Sequence, residues 1–232
     1  MHHYQILRQM KKALFTVGTI ITLVACNSGG DSNTTSTSTT SDTATATATQ
    51  PTVNQPTAPD TAGMSGKSMM GLMQANMDQM KAMPSTGNPD NDFAGMMKIH
   101  HMGAIEMAQL ELAQGTDSQI KGMAKKMLDA QQAEVAQLNN FLSGHQAHGG
   151  GDAFHKKVMG QMNSMKMDMD HSGSVDKQFV QMMIPHHQGA IDMAKAYQET
   201  GAHEAQLKTM AGKIITDQQR EIQELQGWLA KH

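Results

Sequence analysis

The segment His100-His101-Met102-Gly103-Ala104-Ile105-Glu106-Met107-Ala108 returns as His186-His187-Gln188-Gly189-Ala190-Ile191-Asp192-Met193-Ala194. Each copy has a methionine pair four residues upstream, Met96-Met97 and Met182-Met183. The surroundings repeat as well. Phe93 matches Phe179 and Gly115 matches Gly201. After one inserted residue, Gln131-Gln132-Ala133-Glu134 matches Gln218-Gln219-Arg220-Glu221, and Phe141-Leu142 matches Trp228-Leu229. A duplication of this length confines the fold to two similar units packed on each other.

No useful stretch alternates apolar and polar residues, so strands are not expected. Apolar residues recur instead at helical spacing: Phe93, Met97, Ala104 and Ala108 form one stripe, and Ile120, Met127, Leu128, Val135 and Leu138 another. A short Met-rich helix is predicted over residues 68–83, ended by Pro84. A long helix follows from Asn88-Pro89-Asp90, with Asp90 as cap, to about Gln114. A third spans about 117–142. The second unit repeats the order, with a Met-rich segment over 154–167 and long helices over 175–200 and 203–230. Pro185 stands where the first repeat has Ile99, frees the Gln181 carbonyl and is expected to kink its helix. The expected fold is all-α: a four-helix bundle of two repeated hairpins, each preceded by a short Met-rich helix. Repeats 64–145 and 146–232 form one domain.

The N-terminus has the form of an export signal. Arg8, Lys11 and Lys12 precede a mostly apolar run from Ala13 to Ala25, and Leu23-Val24-Ala25-Cys26 resembles a bacterial lipobox. Residues 1–25 are therefore expected to be a lipoprotein signal peptide, with Cys26 lipidated as a membrane anchor. Residues 26–63 are rich in Ser, Thr, Ala and Pro and read as a disordered tether. Cys26 is the only cysteine, so the remainder has neither disulfide nor thiolate. Loss of residues 1–25 removes three of the 18 basic residues and none of the 21 acidic ones, leaving a mildly acidic chain. Bulk electrostatics thus exclude nucleic acid as a partner.

Twenty-four residues are methionine and 12 are histidine, while aromatics make up only 3%. Methionine specifies a core poorly when overused, so its enrichment calls for a chemical reason. Met96, His100, Gly103 and Met107 share one helical face; Met97 and His101 lie about 100° round. One histidine of each pair is expected to face the bundle interior, the other the Met-rich helix or solvent. Thioether with imidazole favours Cu(I), and imidazole extends the range to Cu(II). Glu106 and Asp192 are placed either to orient an imidazole or as exposed charges. Met167-Asp168-Met169-Asp170-His171 suits a chelating loop, and His145, His148 and His155 a mobile one. No phosphate loop, nucleophile elbow or zinc-protease motif is present. The Glu-x-x-His pattern of di-iron bundles is absent.

The pattern Met-Met-x-x-His-His-x-x-Ala-Ile-x-Met-Ala, with the later Gln-x-x-Glu-Ile-x-x-Leu-x-x-Trp-Leu, resembles the CopM-like periplasmic copper-binding family. The resemblance implies a ferritin-like bundle that binds copper through Met96, Met97, His100, His101, Met107, Met182, Met183, His186, His187 and Met193. The function expected from these features is that of a non-enzymatic, lipid-anchored envelope protein that binds Cu(I), with Cu(II) or Ag(I) as further ions, and buffers it or passes it to copper exporters. A copper-dependent redox enzyme such as a cuprous oxidase, and a Met-rich interaction or oxidant-scavenging module, are the alternatives.

Overall fold

The structure is a computed structural model describing residues 62–164, 172–201 and 203–232. The expected leader, Cys26, nearly all of the tether and the Met167–His171 run lie outside these residues. The described residues are helical: α1 Met69–Ala82, α2 Pro89–Gln114, α3 Ser118–Gly144, α4 Ala153–Ser164, α5 Val175–Glu199 and α6 Ala205–Leu229. None is long and apolar enough to cross a membrane.

Local chemistry sets most helix ends. Ser68 opens α1 by accepting the Gly71 N–H at 3.1 Å, and Pro84 follows its end. Asp117 opens α3, its carboxylate accepting the Gln119 and Ile120 N–H groups at 2.8 and 2.9 Å. The cap of α2 is Asn88, which accepts from Asn91 N–H at 2.9 Å, with Pro89 in the first turn. Asp90, expected as that cap, serves a different helix. Its Oδ1 accepts the His203 and Glu204 N–H groups at 3.1 and 3.2 Å, at the start of α6, where Glu204 makes no side-chain cap of its own. The repeat-related Asp176 does the same for α3, accepting the Thr116 and Asp117 N–H groups at 2.8 and 2.7 Å. Each unit thus caps a helix of the other.

α2 and α3 form one hairpin, α5 and α6 the other. α2 and α5 run antiparallel against each other. Phe93 stacks on Tyr197 with centroids 4.2 Å apart, His100 meets His186 midway, and Thr116 bonds Asp176 at the far end. α5 continues as one helix through Pro185. α1 packs on α2 and α5, and so does α4.

The core falls into two apolar clusters. One holds Phe93, Met97, Leu138, Phe154, Tyr197 and Ile214; the other holds Met107, Ile120, Leu128, Phe179, Met183 and Trp228. Between them, each long helix contributes polar residues: His100 and His101, Gln131 and Glu134, His186 and His187, Gln218 and Glu221. All but Glu221 are buried. The duplication places this polar belt at one level across the bundle. Buried polar groups need partners, so the belt is where function is to be sought.

Candidate metal centre

The second histidine of each pair belongs to the belt's interior. His101 Nε2 lies 2.9 Å from Glu134 Oε2, and Lys213 Nζ donates to Glu134 Oε1 at 3.0 Å. Burial opposes ionisation of Glu134, but the His101 and Lys213 contacts outweigh it and hold the carboxyl below its ordinary range. His187 Nε2 lies 2.8 Å from Glu221 Oε2, close but without the alignment of a hydrogen bond. Both imidazoles are fully buried. A histidine whose Nε2 faces a carboxylate is held in orientation.

The first histidine of each pair faces a small cavity. His100 and His186 meet with ring centroids 3.7 Å apart and planes tilted by 36°. The cavity has about 50 Å³ of solvent-accessible volume, enough for one ion or one to two waters. Five methionines line the same cavity: Met73, Met77 and Met80 from α1, Met162 from α4 and Met193 from α5. Burial, then the neighbouring imidazoles, drives the pKa of both His100 and His186 well below the ordinary value, so both rings are neutral. Nδ1 of each is buried with no hydrogen-bond partner. A neutral imidazole keeps one nitrogen lone pair, and imidazole beside thioethers is a donor set for a soft ion. No group of three or more imidazole, thiolate or carboxylate side chains suited to a harder ion converges among the described residues.

The structure therefore redistributes the residues expected at the site. His100, His186 and Met193 come together at one cavity. Met96 and Met97 lie in one apolar cluster and Met107, Met182 and Met183 in the other, all nearly inaccessible and none lining the cavity. A histidine and a methionine four residues apart share a helical stripe, but the neighbouring helices decide what each reaches. His101 and His187 turn to carboxylates rather than to thioethers. The antiparallel crossing of α2 and α5 brings one histidine of each repeat to a single cavity. Glu106 and Asp192 do not orient the imidazoles; Asp192 accepts from Gln188 Nε2 at 2.9 Å at the cavity rim. The carboxylate that holds an imidazole by a hydrogen bond is Glu134, on His101, and its repeat counterpart Glu221 lies beside His187; both belong to the repeated Gln-x-x-Glu of the companion helices. Met73, Met77, Met80 and Met162, which also line the cavity, belong to the Met-rich segments that precede the long helices of each repeat.

The Gly/His loop is also more fixed than its composition indicates. His145 stacks on Phe141 at 4.6 Å, the His148 carbonyl accepts from Asn88 Nδ2, and Gly151 N–H donates to the Gly87 carbonyl at 2.9 Å.

Fold and site together define a duplicated all-helical Met/His bundle. The family model described as a domain of unknown function, DUF305, matches residues 31–142 and again 143–229, and the chain belongs to that family. A putative secreted DUF305 protein from Streptomyces coelicolor shares the fold at TM-score 0.53 and 21% identity, over 63% of this chain and 95% of that one. A DUF305 fragment from Deinococcus radiodurans aligns at TM-score 0.48 and 21% identity, over 64% of this chain and all of that one. CopM in an Ag-bound form aligns at 0.48 and 24%, over 61% and 95%. No curated protein matches significantly.

Proposed function

We propose that the protein binds Cu(I) in the cavity between α1, α2, α4 and α5 and acts as a copper buffer or carrier of the cell envelope. The observation that carries this reading is the pairing of the His100 and His186 rings, with buried unpartnered Nδ1 atoms, at a cavity that five methionines also line. Neutral sulfur and nitrogen donors suit Cu(I), and Ag(I) shares its softness. Thioethers bind without losing a proton and exchange readily, which suits transfer to a partner such as a copper exporter. Transport rather than turnover is the role we assign. Export and lipidation at Cys26 complete the proposal: a protein tethered outside the cytoplasm, where thioethers outlast thiols.

The test is Cu(I) affinity by competition with a colorimetric chelator under anaerobic conditions. Changing Met73, Met77 and Met80 together to Leu keeps volume and should leave the fold intact. Affinity should fall by at least about tenfold, the loss that even ligand-orienting residues produce. Unchanged affinity would remove the cavity from consideration.

A further inference from the structure

Asn76 of α1 is buried and reaches across to both repeats. Its Nδ2 donates to the Ile99 carbonyl at 2.7 Å, and its Oδ1 lies 3.4 Å from His186 Nε2. These contacts select one assignment of donors and acceptors. A carbonyl only accepts, so the amide nitrogen faces Ile99. The amide oxygen also only accepts, so a hydrogen bond across the 3.4 Å contact puts the hydrogen on the ring nitrogen that faces it. A neutral imidazole has one N–H. The His186 lone pair therefore resides on Nδ1, the atom that is buried and unpartnered.

Gly103 makes this reach possible. A Cβ there would overlap the Asn76 carboxamide. The repeat-related Gly189 instead lines the cavity. The two glycines are thus repeat-related places where the helix surface is cut back, one filled by Asn76 and the other at the cavity wall.

We propose that Asn76 is a positioning residue that fixes His186 in the Nε2–H tautomer, so that His186 takes a soft metal ion through Nδ1. The proposal rests on the reading of the cavity as a soft-metal site. It joins α1 to the metal twice, through its three thioethers and through the tautomer it imposes on a histidine of the other repeat.

The experiment is NMR of full-length protein with isotope-labelled histidine, using two-bond proton–nitrogen correlations, before and after Ag(I) addition. Without metal, His186 should be protonated at Nε2. Ag(I) should shift Nδ1 and leave the Nε2 proton in place. Asn76→Leu should give a tautomer mixture and weaken Ag(I) binding by about 10-fold or more. Gly103→Ala, which raises helix propensity while displacing the carboxamide, should do the same without touching any donor. A proton on Nδ1 in the metal-free protein, an unchanged tautomer in Asn76→Leu, or Ag(I) at Nε2 would overturn the proposal while leaving a metal site standing. If Ag(I) shifts neither histidine nor methionine signals, the metal reading itself fails, and the assignment of Nδ1 as ligand fails with it.

Discussion

Two histidines adjacent in sequence do different work because a helix turns about 100° between them. His100 and His186 face the cavity, whereas His101 and His187 face Glu134 and Glu221. Substitution should separate the roles. His101→Ala leaves the buried Glu134 with Lys213 alone and should cost about 1–3 kcal/mol in chemical denaturation, while the cavity donors stay in place. A second residue-scale prediction concerns Glu111, which is fully buried. Burial first, then the charge of Asp176, pushes its carboxyl up to about 8. Asp176 is opposed by burial, but the Asp117 and Thr116 N–H groups bring it down to about 2. Neither Glu111 oxygen has a hydrogen-bond partner as a carboxylate, in keeping with a carboxyl that holds its proton. The unfolded chain releases that proton near 4.5 and the folded one near 8, so between those values the folded state binds more protons. This term is fully stabilising below about 4.5 and is lost as pH rises through about 8. Glu111→Gln should flatten the melting temperature across that range; an unchanged slope would remove Glu111 as its source.

At the scale of elements, α1 is the part whose role its own sequence least reveals. Its Met stripe is equally that of a core-facing helix. Met69 and Leu72 do serve the core, while Met77 and Met80 reach the cavity as well as being buried. The difference is set by what α1 packs against, which spacing along one helix does not encode. The long helices were far more legible, since their apolar periodicity and their Asn, Asp and Ser starts act locally. Asp90 was misjudged for the same reason as α1: it sits in its helix's first turn, but its hydrogen bonds cross to α6. Its counterpart Asp176 gives the test. Asp176→Ala removes the Thr116 and Asp117 acceptor and should cost about 0.5–2 kcal/mol, the range of a lost helix cap, with amide exchange quickened first at the start of α3. Exchange quickened only in α5 would contradict the cross-capping.

For the whole molecule, the decisive property is the crossing of α2 and α5. The duplicated motif announced two related units, and the bundle followed from it. The repeat could not say whether its two histidine pairs would lie apart or meet. The antiparallel crossing makes them meet, dividing the apolar core by a polar belt and combining one histidine from each repeat at a single cavity. The most direct test is an anaerobic Cu(I) titration of His186→Ala beside the parent. One shared site predicts that this single substitution removes the tight site altogether, although every donor of the first motif is intact. Retention of half the tight copper, held by the first motif alone, would contradict the account and restore two independent chelates.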